Sequence, residues 1–448
     1  MSHLDFLKQG FLESPNQTAV VFREQSITYG ELFDKIKEVD NLIQEAGIRG
    51  GDIVVLYGDY SPLSVATLLA LTDIGTILVP ITPDAMANIE ESLEKVAIDW
   101  TVDVRSEVPI VIKSNSVSDR PVLYDTLIEN KAPGLVLFTS GSSGKPKAVV
   151  HDFSKLLTKF EVRRNAMITI NFLLFDHWGG LNTLLHCLSN LCLIVIPESR
   201  SPEAVCQIIE THKVELLPTT PSFLSMLVIS RAYKKFDLSS LKMITYGAEA
   251  MPSSTLKRLN ENFPDVDIRQ TYGMIELGVL RAKSKSPDSL WMKMGGKGYD
   301  VRVVDGILQI KAESAMLGYI DAPSPYTEDG YFITGDRVEV DGEWMHVLGR
   351  ESDLINVGGE KAYPAEIENV LFECDCVEDA VAFGETNPLL GNIVAAQVVL
   401  KNSADKKVAR KDILNYCNNR LKSFMVPSKI KFVESISQTG RLKRQRRF

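Results

Sequence analysis

One short segment of small polar residues carries the clearest chemistry in this sequence. Residues 138–147 have the sequence FTSGSSGKPK and follow an apolar run at 135–137 that predicts a buried strand. Glycines let the backbone turn sharply and bring its N–H groups close to a bound group, while hydroxyls donate hydrogen bonds and lysines add positive charge. The segment is therefore a candidate cradle for a polyphosphate.

Two other interpretations of this segment are less well supported. Loops of serine, glycine and lysine are common linkers, but this loop leaves a strong strand signal and carries no acidic residue. The segment is also not a Walker A loop, because such a loop has four residues between its first glycine and its Gly-Lys-Ser/Thr end. Because Pro146 follows Lys145, no helix can continue directly from that lysine, which disfavours an ordinary kinase or GTPase.

Three later clusters of polar residues lie near the ends of predicted strands, at 247–249 (GAE), 272–276 (YGMIE) and 331–336 (YFITGD). Proteins of the α/β class bind ligands at the carboxyl ends of their strands. A tyrosine beside a glycine offers a flat surface for a base, and an aspartate can accept two ribose hydroxyls. Glu276 could hold Mg²⁺, which prefers oxygen ligands. Taken singly, each cluster is a weak signal, since an aspartate after Thr-Gly is more often a turn former and a glutamate such as Glu276 is more often a solvated carboxylate.

Strand and helix signals alternate through the first half of the chain and must position these clusters. Residues 29–46 have helical periodicity, and 252–262 begin with a proline that suits a first helical turn. Further helices are predicted at 62–71 and 202–212, and strands at 52–57, 76–81, 191–196 and 241–246. Repeated units of this kind predict parallel sheets covered by helices.

The pattern changes near residue 300. Asp-Gly pairs at 305–306 and 341–342 predict two hairpins and a β-rich subdomain. The last hundred residues mix predicted helices at 364–372 and 410–421 with strands at 380–383, 393–400 and 430–433. We therefore expect an α/β fold, with a large N-terminal domain of helix-covered sheets plus a β-rich subdomain (1–349) and a small α+β C-terminal domain (350–448).

Composition narrows the class of protein. A length of 448 residues predicts two or three domains, and a net charge of −9 argues against a general nucleic-acid binder. Only Cys374 and Cys376 lie close together, a poor metal signal that favours free thiols in a reducing compartment. The first residues lack the order of a signal peptide. The apolar stretch 65–81 contains Asp73, so no membrane span is expected, and we predict a cytoplasmic protein.

In this order, the clusters resemble the adenylate-forming superfamily, which comprises acyl- and aryl-CoA synthetases, adenylation domains of peptide synthetases and luciferases. The resemblance spans nearly the whole chain and is most specific at 349–368 (GRESDLINVGGEKAYPAEIE), which resembles the family's hinge and pantetheine-facing segment. It implies that a carboxylate attacks the α-phosphate of MgATP to give an acyl-adenylate and pyrophosphate. A thiol of CoA or of a phosphopantetheinyl carrier protein then displaces AMP. It also implies a mobile C-terminal domain that rotates about a hinge near 350–352.

The same resemblance implies roles for individual residues. The β- and γ-phosphates would be bound by Thr139, Ser140, Gly141, Ser142, Ser143, Gly144 and Lys147. Gly247, Ala248 and Glu249 would line the adenine and acyl pocket, and Tyr272, next to Gly273, would stack on adenine. Glu276 would reach Mg²⁺, and the ribose would be held by Asp336 and Arg350. Gly358 and Gly359 would lie beside the pantetheine arm.

Three departures from the family's pattern bear on catalysis. Ile275 replaces the usual threonine, whose hydroxyl touches the α-phosphate, and Ser352 replaces the usual hinge residue. Arg441, within a basic patch, replaces the lysine that usually bridges the substrate carboxylate and the phosphate. Arginine keeps the charge but differs in shape and reach, so Lys443 is an alternative catalytic cation. A homologue that binds an adenylate without full catalysis is the competing hypothesis.

The identity of the acid depends on residues 174–181 (LFDHWGGL). His177 with the following Gly-Gly-Leu resembles acyl- and aryl-CoA synthetases, and His177 would be a catalytic residue. Asp176 resembles amino-acid-activating domains, where an aspartate pairs with the substrate's ammonium. We favour the acyl interpretation, with Trp178 shortening the pocket for a small or aromatic acid, although His177 and Trp178 are equally consistent with core residues. The pocket residues implied are Trp178, Gly179, Tyr246, Met274 and Leu277.

Overall fold

The structure is a computed structural model that describes residues 3–114, 119–139, 146–388, 390–401 and 405–436. The described helices are α1 (Asp5–Glu13), α2 (Tyr29–Glu45), α3 (Pro62–Ile74), α4 (Pro83–Leu93), α5 (Leu123–Glu129), α6 (Phe153–Leu157), α7 (Trp178–Ser189), α8 (Pro202–His212), α9 (Pro221–Ser230), α10 (Ser253–Asn262), α11 (Pro364–Glu373) and α12 (Lys406–Asn418).

The first thirteen strands are β1 (Thr18–Phe22), β2 (Gln25–Thr28), β3 (Ile53–Tyr57), β4 (Ile77–Ile81), β5 (Trp100–Asp103), β6 (Ile110–Lys113), β7 (Gly134–Thr139), β8 (Lys147–Asp152), β9 (Thr169–Ile170), β10 (Ile194–Ile196), β11 (Leu216–Thr219), β12 (Met243–Tyr246) and β13 (Asp267–Gln270). The remaining strands are β14 (Tyr272–Met274), β15 (Gly278–Ser284), β16 (Trp291–Gly295), β17 (Tyr299–Val304), β18 (Ile307–Ala312), β19 (Gly318–Tyr319), β20 (Phe332–Asp341), β21 (Trp344–Arg350), β22 (Ile355–Val357), β23 (Glu360–Ala362), β24 (Val377–Asn387), β25 (Gly391–Leu400) and β26 (Lys429–Phe432).

The first sheet has the strand order β13-β12-β11-β9-β10-β1-β2 and is parallel except for β2. Thr219, Tyr246 and Gln270, the last residues of three neighbouring strands, lie in register. The loops that follow these strands therefore leave from one edge of the sheet, which is where the first sheet contributes to the site. The predicted parallel sheet is confirmed, but the strand predicted at 191–196 is shorter because Leu191 has a positive φ of 56° in the turn after α7.

The second sheet has the order β19-β8-β7-β4-β3-β5-β6, with β7, β4, β3 and β5 parallel. Strand β8 runs antiparallel to β7, and Lys147 pairs with Thr139. The candidate phosphate segment therefore joins two antiparallel neighbours rather than a strand and a helix. This connection differs from that of a P-loop, in which the loop opens a helix, and it agrees with the sequence-based argument against one.

Two helices near the N-terminus show why these elements form as predicted. Helix α2 begins with a capping box, in which Thr28 and Glu31 satisfy each other's backbone N–H groups. Helix α3 begins with a similar box at Ser61 and ends at Gly75, whose φ of 85° is left-handed. Its residues from Leu63 to Thr72 are buried, which explains why its sequence is apolar on every side.

The third sheet forms the predicted β-rich subdomain and is antiparallel throughout, with the order β14-β15-β16-β21-β20-β18-β17. Asp305 and Gly306, between β17 and β18, both have positive φ values, of 50° and 75°. Two central residues with positive φ are the requirement of a type I′ hairpin turn, so the predicted hairpin is confirmed. This sheet brings β14, β20 and β21 together at the site.

The C-terminal residues form a fourth sheet, β23-β22-β25-β24 with β26 beside β25, packed against α11 and α12 over an apolar core of their own. Helix α12 begins four residues before its predicted start because Asp405 caps it, accepting from the N–H groups of Lys407 and Val408. The predicted combination of helix-covered sheets, a β-rich subdomain and a small α+β unit is confirmed. The exact domain boundary at 349/350 stays a prediction.

Candidate active site

Three predicted nucleotide-binding residues, one each on β14, β20 and β21, meet at the third sheet. The Tyr272 hydroxyl donates to Asp336 Oδ2 at 2.5 Å, and Arg350 Nε lies 3.4 Å from Asp336 Oδ1. Asp336 and Arg350 are register partners across β20 and β21. Burial raises the pKa of Tyr272 well above its usual value, and the Asp336 carboxylate raises it further, so the phenol stays a hydrogen-bond donor.

Glu276 lies beside this group and is only 7% exposed. The Tyr319 hydroxyl donates to Glu276 Oε1 at 2.7 Å, and the Lys147 ammonium lies 4.8 Å from the centre of the Tyr319 ring. Although burial alone lowers the pKa of the Arg350 guanidinium, the carboxylates of Asp336 and Glu276 raise it overall. The two carboxylates therefore share an electrostatic environment with one arginine.

The residues present suit Mg²⁺ bound together with a nucleotide. Among the described residues, no group of three or more histidine, cysteine or acidic side chains could hold a metal ion. The buried carboxylate of Glu276 is the predicted ligand instead. Mg²⁺ commonly binds through one or two carboxylates plus substrate phosphates, so this arrangement fits a metal that arrives with ATP.

His151 supports the segment that carries Glu276, and sequence analysis did not single it out. Its Nε2 lies 2.7 Å from the carbonyl oxygen of Ile275. Burial lowers the pKa of His151 to about 4, so the imidazole is neutral near pH 7 and donates from Nε2 to that carbonyl. The Ile275 side chain packs into the apolar core. The departure from threonine at this position therefore places an apolar side chain in the protein interior.

The phosphate segment is described only at its edges. Thr139 ends β7 and Lys147 begins β8. Outside the described residues lie Ser140, Gly141, Ser142, Ser143, Gly144, Arg441 and Lys443. The roles predicted for these seven residues stay predictions.

The Gly-Ala-Glu cluster follows β12 and has a constrained backbone. A Cβ on Gly247 would lie 2.5 Å from Thr271 Oγ1 and 2.8 Å from the Thr271 carbonyl oxygen, so only glycine fits without a shift. Ala248 has a left-handed φ of 69°, which disfavours an L-residue by roughly 1–2 kcal/mol. Glu249 Oε2 accepts from the N–H group of Ser222 at 3.2 Å and from its hydroxyl at 2.6 Å, at the start of α9.

The predicted acid pocket surrounds the start of α7. His177 caps this helix, and its Nδ1 accepts from the Gly179 N–H group at 3.2 Å. Trp178 is 2% exposed. Asp176 Oδ2 accepts from the Thr82 hydroxyl at 2.9 Å. The predicted pocket residues Tyr246 and Leu277 are fully buried as well, and Met274 is partly buried.

The predicted pantetheine-facing glycines form the turn between β22 and β23. Gly358 and Gly359 have φ values of 61° and 96°, a conformation that glycine adopts without strain. The Gly359 N–H group donates to Asn356 Oδ1 at 2.9 Å. Ser352, at the predicted hinge, is exposed in a short 3₁₀ turn, Glu351–Asp353. The place of the two glycines beside a pantetheine arm stays a prediction.

Tyr319 is the functional candidate that sequence analysis missed most clearly. It lies 43 positions from Glu276 and is brought to it because β19 pairs with β8. Short-range spacing carries no sign of this contact. To predict this contact from the sequence, one would first have to predict that β19 pairs with β8.

Comparison with known proteins identifies the family. Residues 8–319 match the family model of AMP-binding enzymes, and residues 366–443 match that of the AMP-binding enzyme C-terminal domain. The chain therefore belongs to the AMP-binding enzyme family, and its resemblance to the adenylate-forming superfamily is confirmed.

Particular relatives cover almost the whole chain. The indoleacetate–CoA ligase of Aromatoleum aromaticum is 25% identical over 95% of this chain and 93% of its own length. The 2-succinylbenzoate–CoA ligase of Listeria monocytogenes is 26% identical over 97% and 96%.

Solved structures share the fold. An anthranilate CoA ligase in complex with anthranoyl-AMP superposes with a TM-score of 0.79 at 18% identity, covering 98% of this chain and 95% of the other. The o-succinylbenzoate CoA synthetase of Bacillus subtilis with its acyl-adenylate superposes with a TM-score of 0.75 at 20% identity, covering 98% and 96%. Among the described residues, no helix combines the length and apolar character needed to cross a bilayer.

Proposed function

We propose that this protein uses ATP to activate a small carboxylic acid as an acyl-adenylate and then transfers the acyl group to the thiol of CoA. The observation that carries the proposal is the polar group formed by Tyr272, Asp336 and Arg350 beside Glu276. A buried carboxylate held by an arginine suits ribose hydroxyls, and a second carboxylate nearby suits the metal of MgATP. CoA ligases among the relatives support the same reaction.

The chain's own residues would carry out the first step by positioning and charge. Asp336 would accept the ribose hydroxyls while Arg350 keeps its carboxylate in place. Lys147 and the backbone N–H groups of 139–144 would bind the β- and γ-phosphates. Arg441, or Lys443 in its place, would bridge the acid's carboxylate and the α-phosphate. Mg²⁺, when bound, would supply positive charge to the phosphate oxygens.

Each step then follows from the groups held together. A carboxylate oxygen of the acid attacks the α-phosphorus, the bond to pyrophosphate breaks, and the acyl-adenylate forms. The thiol sulfur next attacks the acyl carbon, AMP leaves with the electron pair of the broken C–O bond, and the thiol proton passes to solvent. Gly358 and Gly359 would lie beside the pantetheine arm in this second step.

An aromatic or other small acid is the favoured substrate class. Indoleacetate, feruloyl, 2-succinylbenzoate and anthranilate appear in the names of relatives and structural neighbours, and each contains an aromatic ring. Trp178, at the start of α7, would shorten this pocket with an aromatic wall. Asp176 accepts from the Thr82 hydroxyl, and pairing of this carboxylate with a substrate ammonium, as in amino-acid-activating domains, is the alternative.

Two alternatives are tested together with the main proposal. A phosphopantetheinyl carrier protein could replace CoA as acceptor, and the basic residues 441–447 suit either the phosphates of CoA or an acidic carrier. A homologue that binds an adenylate without full catalysis is favoured by Ile275 and Arg441. We place the protein in the cytoplasm, where ATP and CoA are supplied and where its six free cysteines stay reduced.

The test is product identification by mass spectrometry. The protein is incubated with ATP, Mg²⁺, a panel of aromatic and short aliphatic acids, and either CoA or a holo carrier protein. We expect an acyl-CoA from at least one aromatic acid. An acyl group found only on the carrier protein would show that the carrier protein, and not CoA, is the acceptor. Tight AMP binding without any product would favour the non-catalytic homologue.

A further inference from the structure

Tyr319 contacts two residues that are predicted to bind MgATP, Glu276 and Lys147. Its hydroxyl donates to Glu276 Oε1 at 2.7 Å, and its ring lies 4.8 Å from the Lys147 ammonium. Lys147 is the first residue of β8 and the last residue of the candidate phosphate segment. One side chain thus lies between the predicted metal ligand and a predicted phosphate ligand.

Backbone contacts fix Tyr319 relative to both partners. Tyr319 is the register partner of Val149 on β8, and the N–H group of Met316 donates to the Glu276 carbonyl oxygen at 2.8 Å. The Ser324 hydroxyl accepts from the Tyr319 N–H group at 3.2 Å. The segment around Tyr319 is therefore tied at separate points to the strand that begins at Lys147 and to Glu276.

The chemistry of the contact makes it directional. The Tyr319 hydroxyl is the donor in this contact, because its oxygen lies 2.7 Å from a carboxylate oxygen that can only accept. An ionised carboxylate only accepts and has about four lone-pair sites on its two oxygens. A hydrogen bond to Oε1 therefore restricts rotation of the carboxylate and with it the direction in which Oε2 points. Above the ring, the Lys147 ammonium is held by a cation–π contact.

We propose that Tyr319 is a positioning residue that orients Glu276 toward the Mg²⁺ bound with the nucleotide and holds the Lys147 ammonium at the nucleotide site. This inference rests on the proposed function, since it assumes that Glu276 receives the metal of MgATP. Groups that hydrogen-bond to metal ligands typically change metal affinity by roughly 10–100-fold when they are removed. Tyr319 would act through Glu276 and Lys147 without touching the substrate.

The variant Tyr319→Phe removes the hydroxyl and keeps the ring. Mn²⁺ binding to the protein with a non-hydrolysable ATP analogue, followed by electron paramagnetic resonance, measures the metal site without turnover. We expect Mn²⁺ affinity to fall by about 10-fold or more, while binding of the analogue without metal stays unchanged because the ring still faces Lys147. Tyr319→Leu, which removes the ring as well, should also weaken metal-free binding of the analogue.

The matched control is Tyr326→Phe. Tyr326 also lies near Glu276, but its hydroxyl donates to the Met316 carbonyl oxygen at 3.0 Å, so Mn²⁺ affinity should stay unchanged. In a Glu276→Gln background, Tyr319→Phe should have no further effect on Mn²⁺ affinity. Equal Mn²⁺ affinity in wild type and Tyr319→Phe overturns the positioning role alone. A wild-type protein that binds neither the analogue nor Mn²⁺ overturns the proposed function with it.

Discussion

The nucleotide side and the acid side of the candidate site are built in different ways. On the nucleotide side, Tyr272, Asp336 and Arg350 bond to one another across three strands of one sheet. On the predicted acid side, Trp178 and Tyr246 are buried side chains. Binding of a charged nucleotide requires particular polar groups at fixed positions, whereas the fit of an acid depends on the volume and shape of packed side chains. The first kind of site leaves motifs in a sequence, and the second leaves few.

The largest effect is expected from removal of the catalytic cation. Arg441→Ala should slow adenylate formation by roughly 10²–10³-fold, the usual loss for one preorganised electrostatic contact, while Lys443→Ala should have a small effect. Pyrophosphate release measures the rate. The reverse order of the two variants would assign the role to Lys443.

Low pH should destabilise the protein through His151, which supports the nucleotide side. The pKa of His151 is 6.5 in the unfolded chain and about 4 in the folded protein, so the unfolded state binds the proton first as pH falls. The neutral His151 therefore contributes to the stability of the fold. This contribution is complete above pH 6.5 and is lost as pH falls toward 4, which lowers the free energy of unfolding by about 3 kcal/mol. Denaturant unfolding of wild type and His151→Asn across this range measures it. An equally steep loss in the variant would refute the assignment to His151.

Loss of the ribose acceptor should mainly affect ATP. Asp336→Ala should raise the KM for ATP by roughly 10–100-fold, since hydrogen bonds to charged groups contribute about 1.5–3 kcal/mol. The control is Asp341→Ala on the same strand, which removes only an exposed ion pair with Lys285 and should leave that KM unchanged. If Asp336→Ala instead raised the KM for the acid and left the KM for ATP unchanged, the assignment of Asp336 to the nucleotide side would be wrong.

A smaller effect is expected from a substitution in the predicted acid pocket, and it should concern the acid and not ATP. Trp178→Phe should alter the ratio of kcat/KM between a large and a small acid by about tenfold, with the KM for ATP unchanged. Thermal melting of the variant controls for the space left in the core. If the KM for ATP changes as much as the ratio for the acids, Trp178 acts on the whole site and not on the acid pocket.

Helices and strands were predicted from the sequence more accurately than the contacts between side chains that are distant along the chain. Helix α2 was predicted within one residue because its apolar periodicity runs for several turns and ends at Gly47. His151 and Tyr319 were missed because their partners lie 124 and 43 positions away, and only the pairing of strands brings them together. The nucleotide motifs were found because their chemistry requires particular residue types. Glu249 was assigned to the pocket from its motif alone, and its bonds to Ser222 at the start of α9 were invisible at that level.

The central claim is that the nucleotide side is a working adenylation site. ATP–pyrophosphate exchange by the wild-type protein, with and without acids from the panel, tests it most directly. We predict exchange that requires an acid and Mg²⁺ and that falls in Asp336→Ala but not in Asp341→Ala. Absence of exchange with every acid, in a protein that still binds AMP tightly, would contradict the claim.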